Sequence, residues 1–215
     1  MDHFVIGDIH GCFYTFKKLV EEHWDREKEM LVQVGDLVDR GKHVPQTVQF
    51  ARQLASDFPE RAYFIKGNHE AMLLEHFANP PSYNWLRQGG QETLDQYAAA
   101  ERNLANDIKW LESLPLFYDH DKLFVSHAGI AQNTHDPFDE DNPYGILWNR
   151  SKLKNLSKLQ IVGHTPIKEP KFDPDSHAYY IDTGAAYAGS LTGIKIDQAG
   201  EPLELFQVKT DSRDL

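Results

Sequence analysis

The sequence predicts an α/β protein: a parallel sheet covered by helices, with a second, largely antiparallel sheet packed on it. Two observations predict this. In the first third of the chain a short apolar run, a glycine-bearing polar loop and an amphipathic stretch follow one another three times. That is the order a parallel sheet with helical crossovers requires. After His177 the pattern changes to three β-rich runs, 177–182, 190–196 and 203–208, the last two joined by the turn-rich Asp197-Gln198-Ala199-Gly200 of a hairpin.

Each element has its own signal. Residues 3–6 (HFVI) form a buried strand that stops at Gly7-Asp8. Phe13, Phe16, Leu19, Val20 and Trp24 then recur at helical spacing, with Lys17, Lys18, Glu21 and Glu22 on the other face. Residues 30–34 repeat the strand and stop at Gly35-Asp36. The helix after it carries Pro45 in its first turn, where a missing N–H costs no hydrogen bond, and sets Val48, Ala51, Leu54 and Ala55 on one side. Residues 62–65 are the third strand, ending at Lys66-Gly67, and 70–77 the third helix. The stretch 79–114 reads as helix and loop, broken at Pro80-Pro81 and Gly89-Gly90, and two further strands, 123–126 and 159–162, end at loops containing histidine. No repeat, low-complexity stretch or Ser/Gly-rich linker divides the chain, so residues 1–215 are expected to form a single domain.

Composition narrows the function. Hydrophobic residues at 40% and charged residues at 26% fit a globular protein with a substantial core. Twenty-two Lys and Arg against thirty-three Asp and Glu leave a net charge of −11, which argues against nucleic acid or an anionic membrane as partner, since both need a basic footprint. The lone cysteine, Cys12, excludes an internal disulfide, a four-cysteine zinc site and a CxxC motif. It opens a core-facing helix and is expected to be buried, not nucleophilic. No apolar run approaches the roughly 18 residues of a membrane helix, and Met1-Asp2-His3 does not open a secretion signal. The expected compartment is therefore the reducing cytoplasm.

Eleven histidines stand out, and their placement is informative. Five polar motifs follow five predicted strands: GDIHG (7–11), GDLVDRG (35–41), GNHE (67–70), SHAG (126–129) and GHTP (163–166). Ligands of open α/β sheets bind beyond the carboxyl ends of strands, so the five should converge on one pocket. Asp8 and His10 are two apart and would point to one side of an extended strand end. With Asp36, Asn68, His127 and His164 they make two carboxylates, three imidazoles and one amide. That set is too large for one open catalytic ion and suits two divalent ions sharing a carboxylate, with Asp36 as the candidate bridge. Mixed N and O donors without thiolate favour manganese, with iron or zinc as alternatives, over calcium or a lone magnesium.

The neighbours of these ligands point to phosphate. Arg40 offers a planar fork matched to phosphate oxygens, and Arg150 of LWNR (147–150) offers a second. His69, next to a ligand, projects elsewhere, where Asp39 could bond its ring and raise its pKa to make a proton donor. Two divalent ions, Asp8, Asp36, a shared hydroxide and two arginines total about +3, with His69 and Asp39 offsetting each other. A cationic pocket in an acidic protein selects a compact anion, and a phosphate monoester is the natural one. Asp182 is either a support for a ligand or a turn-forming residue, and Tyr83, Trp85 and Trp110 are expected to pack. The seven histidines outside the motifs are expected to be ordinary ones.

In their order, GDIHG, GDLVDRG, GNHE, HAG and GHT closely resemble the PPP-type metallophosphoesterases, a group of serine/threonine protein phosphatases and diadenosine tetraphosphate hydrolases. IDTGAAYAGSLTGIKI (181–196) resembles the closing segment of the bacterial members. The resemblance implies a calcineurin-like β-sandwich of two mixed sheets flanked by helices, in four αββα layers. It implies one ion on Asp8, His10 and Asp36 and another on Asp36, Asn68, His127 and His164. Arg40 and Arg150 become phosphate binders, and Asp39 with His69 the proton-donating dyad. The implied reaction is hydrolysis without a covalent intermediate, by a hydroxide bridging the two ions. Asp39, and GNHE where symmetrical dinucleotide hydrolases have GNHD, favour phosphoserine and phosphothreonine in proteins. Diadenosine polyphosphate is the alternative substrate, because asymmetrical hydrolases can keep the aspartate. The expected partner is thus a phosphorylated protein or small phosphoester, with the chain acting as a monomer. A scaffold that binds phosphate without turnover is the remaining class; an acid dyad argues against it.

Overall fold

A computed structural model describes residues 1–215. Strand β1 (Asp2–Ile6) leads to helix α1 (Phe13–His23), β2 (Glu29–Gln33) to α2 (Val44–Asp57), and β3 (Ala62–Phe64) to α3 (Asn68–Ala78). A helical segment follows: α4 (Tyr83–Trp85), a wide turn over 86–90, α5 (Gln91–Ala99) and α6 (Leu104–Glu112). The rest is mostly strand: β4 (Phe117–His120), β5 (Leu123–Ser126), β6 (Leu159–Val162), β7 (Lys171–Asp173), β8 (Ala178–Tyr180), β9 (Ser190–Ile196) and β10 (Pro202–Lys209). The third helix starts at Asn68, two residues before its predicted start, because Glu70 in its first turn accepts the Gly67 N–H at 2.8 Å and satisfies a donor the helix cannot.

The strands form two five-stranded mixed sheets, ordered β10-β9-β1-β2-β3 and β4-β5-β6-β8-β7. One expectation needs correction. The C-terminal hairpin β9–β10 does not belong to the second sheet; it extends the first, β9 running antiparallel to β1 from His3↔Ile196 to Ile6↔Gly193. The second sheet is not largely antiparallel either, since β5, β6 and β8 are parallel and only β4 and β7 at its edges run against them. The hairpin is set by its local turn, but the edge it joins is set by contacts with β1, distant in sequence.

Alternation along β1 builds the layers. Phe4 and Ile6 face the helices, packing with Phe16, Leu19, Val20, Val48, Ala51 and Leu54. Val5 faces inward, where Val32, Val34, Ile194 and Ile196 of the first sheet meet Leu123, Val125, Leu159 and Ile161 of the second. The first sheet's helix-facing side includes Gly193, where an added Cβ would come within 2.6 Å of the Phe4 ring. Gly193→Val should therefore cost ~1–3 kcal/mol through overpacking, read as a lower denaturation midpoint at unchanged slope.

Between the sheets lies one titratable group of β1. His3 is 2% exposed, with Nε2 3.0 Å from the Tyr118 hydroxyl. Burial first, then His120 and the N-terminal amine, push its pKa down from 6.5 to about 4. The neutral ring is thus favoured by folding. Its stabilisation is complete above pH 6.5 and is lost as the pH falls through the window down to about 4. About 3 kcal/mol of stability should go in that interval, and His3→Gln should flatten the stability profile there, measured by denaturant titration at several pH values. No helix is long and apolar enough to cross a membrane.

Candidate active site

The five motif loops meet at one end of the two sheets, laced together by their backbones. Ile9 and His10 donate N–H bonds to the Asp36 carbonyl at 3.1 and 2.8 Å, and Gly11 donates to Leu37 at 2.9 Å. Glu70 binds the second loop from below: one carboxylate oxygen accepts from Leu37 and Val38, the other from Asp36 and Gly67, at 2.8–3.2 Å. The lacing sustains a strained path, with φ of 46° at His10, 57° at Asp36, 69° at Asp39 and 70° at Arg40. Non-glycine residues hold such values only where their surroundings over-determine them.

Two histidines have tautomers set by carbonyl groups. His10 Nδ1–H donates to Val38 O at 2.8 Å and His127 Nδ1–H to Val34 O at 3.0 Å. Each therefore turns an Nε2 lone pair toward Asp36 Oδ2, at 3.3 and 3.5 Å respectively. Asn68 Oδ1 lies 2.8 Å from His127 Nε2 and 2.9 Å from His164 Nδ1. Asp8 Oδ2 accepts the His164 N–H at 2.9 Å, while Asp8 Oδ1 and His164 Nε2 are buried without a partner. Two groups of potential ligand atoms lie within 4.8 Å of one another, His10–Asp36–His69 and Asp8–Asp36–His127, and Asp36 is common to both.

This donor set fits divalent cations. Carboxylate, amide and imidazole groups converge here, with Arg40 the cation now on His10 Nε2, and hydrogen bonds to carbonyl groups orient the His10 and His127 rings as metal sites require. Electrostatics agree. Burial, together with the nearby Asp182 and Asp36, pushes the Asp8 carboxyl well above the usual carboxylate range. Burial also pushes Asp36 upward, but His127, His69 and His10 outweigh it and hold that carboxyl well below its ordinary value. A buried carboxyl pushed up by its acidic neighbours, as Asp8 is, calls for a cation beside it.

A second constellation borders the first. His69 Nδ1–H donates to Asp39 Oδ2 at 2.6 Å, and its Nε2 is buried without a partner. The His69 ring meets the His10 ring edge-on at 4.7 Å. Arg40 Nη1 donates to His10 Nε2 at 2.6 Å, and its guanidinium lies 5.3 Å from the centre of the Tyr187 ring. Arg150 is exposed beside the GHTP loop, donating to Thr165 Oγ1 at 3.3 Å.

All ten expected site residues thus gather around one mouth, with three departures from expectation. Asp8 and His10 do not share an extended strand end: β1 stops at Ile6, and the left-handed turn at His10 sends Asp8 to Asp36 and His127 and His10 to Asp36 and His69. His69 does not project away but joins the group around His10. Of Tyr83, Trp85 and Trp110, only Tyr83, which is exposed, fails to pack. Trp85 lies in the helix-side core and Trp110 packs against that core on Phe64, as expected; Trp85 in addition donates its indole N–H to Asp39 Oδ2 at 2.9 Å.

Sequence reasoning missed Trp85, Thr93, Glu70 and Tyr187. Glu70 alone carried a signal, as an acidic residue three positions after Gly67 at a helix start. Asp182 takes the turn-forming role, accepting the Gly184 N–H at 3.0 Å; it hydrogen-bonds no candidate ligand, and its charge pushes the Asp8 carboxyl up. Cys12 is buried, and its thiol is pushed up to about 12 by burial and Asp214, so it is no nucleophile.

Known proteins resemble this chain over nearly its whole length. The calcineurin-like phosphoesterase family model matches residues 3–191. The asymmetrical bis(5'-nucleosyl)-tetraphosphatase PrpE of Bacillus cereus strain Q1 is 30% identical, over 91% of this chain and 90% of that protein. Serine/threonine-protein phosphatase 1 of Salmonella typhimurium strain LT2 is 33% identical, over 89% of this chain and 90% of that one. Among solved structures, a protein serine/threonine phosphatase of Saccharomyces cerevisiae superimposes with a TM-score of 0.72 at 18% identity, covering 99% of this chain and 81% of the other.

Proposed function

The chain belongs to the calcineurin-like phosphoesterases and is a hydrolase of phosphoric esters, and from that premise we propose that its substrates are phosphoserine and phosphothreonine in proteins. Members of the family use divalent metals, and candidate ligands are present. In this reading Asp8, His10, Asp36, Asn68, His127 and His164 hold two ions, manganese before iron or zinc, with Asp36 shared. When bound, the ions supply Lewis acidity that activates water and offsets phosphoryl charge.

The residues of the chain do the rest. Arg40 and Arg150 hold the non-bridging phosphoryl oxygens from two sides and stabilise their charge as water attacks phosphorus in line. As the new P–O bond forms, the ester P–O bond breaks, and the Nε2 proton of His69 passes to the departing oxygen, which leaves as an alcohol. The attacking water's protons stay on the phosphate product until solvent returns one to His69. Asp39 accepts the Nδ1–H bond throughout and holds the ring in its orientation. One unpartitioned domain acting as a monomer in a reducing cytoplasm is part of the same proposal, supported by the core shared between the sheets and the single buried thiol.

The observation that carries the substrate choice is the 2.6 Å Asp39–His69 contact with Nε2 left bare. A serine or threonine alkoxide is too basic to leave without a proton. A nucleotide released from a dinucleoside polyphosphate departs as a stable anion and needs none. A turnover panel in manganese tests this, with phosphoserine, phosphothreonine and phosphotyrosine peptides beside diadenosine tetraphosphate. Phosphoserine or phosphothreonine peptides should lead in kcat/KM by about tenfold or more, worth ~1.4 kcal/mol at the transition state. A lead of that size for the dinucleotide would reassign the enzyme to polyphosphate hydrolysis.

A further inference from the structure

The helical segment from α4 to α5 makes no side-chain hydrogen bond to a candidate metal ligand, yet it closes around the loop that carries Asp39 and Arg40. Trp85, fully buried, donates Nε1–H to Asp39 Oδ2 at 2.9 Å, and Thr93, also fully buried, donates Oγ1–H to Asp39 Oδ1 at 2.7 Å. With His69 on Oδ2, both oxygens of a wholly buried carboxylate are engaged. Between these two residues Gly89, at φ 113°, lays its backbone on the strained pair: a Cβ there would come within 2.7 Å of the Arg40 nitrogen and 3.0 Å of the Asp39 Cβ. One turn further on, Gln96 donates Nε2–H to Gly41 O and accepts from the Val44 N–H, both at 2.8 Å. Four successive contacts from one segment thus grip residues 39–44.

We propose that Trp85 and Thr93 are positioning residues for the proton donor, fixing the Asp39 carboxylate so that one lone pair is held on His69 Nδ1 and Nε2 is aimed at the departing oxygen. The proposal rests on the proton-donor reading of His69 given above. Simple burial of an indole and a methyl group would not demand two hydrogen bonds to one carboxylate, on its two different oxygens. Donors arranged this way leave Asp39 a single orientation, because rotating it would strand a buried N–H or O–H.

The two roles separate by leaving group. Thr93→Val keeps the shape and removes the hydroxyl, Thr93→Ser keeps the hydroxyl, and Trp85→Phe removes the N–H. Turnover is measured on a phosphoserine peptide and on p-nitrophenyl phosphate, whose leaving group hardly needs a proton. Thr93→Val and Trp85→Phe should each lower kcat on the peptide by about 10-fold or more, as loss of an orienting partner does elsewhere, and change p-nitrophenyl phosphate by no more than roughly 3-fold. Thr93→Ser should stay near the parent, and in a His69→Asn background Thr93→Val should cost nothing further on the peptide. Equal losses on both substrates, or a Thr93→Val effect that survives in the His69→Asn background, would overturn the proposal and leave packing alone. If Trp85→Phe fails to fold, the Thr93 pair still decides. A His69→Asn enzyme that lost both substrates equally would instead bring down the proton-donor reading, and this inference with it.

Discussion

Asp36→Asn is expected to lower turnover of every phosphoester by on the order of 10³-fold or more, together with the bound metal. The substitution changes no volume. It removes the one carboxylate oxygen that faces both the His10 and the His127 Nε2 atoms, at 3.3 and 3.5 Å. An amide nitrogen in that position would donate to those lone pairs and occupy them. The other oxygen still accepts the His69 N–H, now at 3.0 Å, so the start of α3 should remain in place. The metal-free variant should still fold but less stably than the parent, since the surroundings that hold the Asp36 carboxyl well below its ordinary value favour the charge that is lost. The gain in Tm that manganese gives the parent should be absent, because that gain measures binding to the native state. Elemental analysis for bound metal, melting with and without manganese, and kcat on two substrates test the three parts. Full activity with two metals retained would refute the shared role of Asp36.

What could be read in the chain before its structure divides along a physical line. Residues that act from a strand end, flanked by glycine, announce themselves locally: Asp8, Asp36, Asn68, His127 and His164 each follow an apolar run, and the parallel topology then brings them together. Glu70 is legible in the same way, as a helix-start acid, though nothing local says that it holds three N–H groups of another loop. Trp85 and Thr93 are not legible. Their value lies in a contact with Asp39 across 46 and 54 residues, and their own surroundings look like ordinary helix and turn. The partition of the hairpin was missed for the same reason, because β9 and β10 are local but the edge beside β1 is not. His10 shows a third kind of failure. Two-residue spacing means a shared side only while the backbone stays extended, and its φ of 46° breaks that condition.

His69→Asn is expected to separate substrates by the basicity of what leaves. On a phosphoserine peptide the loss should be about 10²–10⁴-fold, the usual range for removing a general acid, and on p-nitrophenyl phosphate about 10-fold or less. The reason is geometric as well as chemical. His69 presents an Nε2 with no hydrogen-bond partner, beside the His10 ring at 4.7 Å, while Asp39 accepts its Nδ1–H at 2.6 Å and fixes the ring. Asparagine can reach toward Asp39 but has no proton of suitable acidity to hand on. The backbone N–H of residue 69, bonded to Asp36 at 3.0 Å, is untouched by the change, so metal content should not move. That constancy distinguishes this variant from Asp36→Asn and removes ion loss as an explanation for slow turnover. A series of aryl phosphates of graded leaving-group acidity makes the test quantitative: the logarithm of the rate should depend more steeply on leaving-group pKa in the variant than in the parent. Parallel lines for the two enzymes would mean that the departing oxygen takes its proton from elsewhere, and the alkoxide argument for a phosphoprotein substrate would then lose its support.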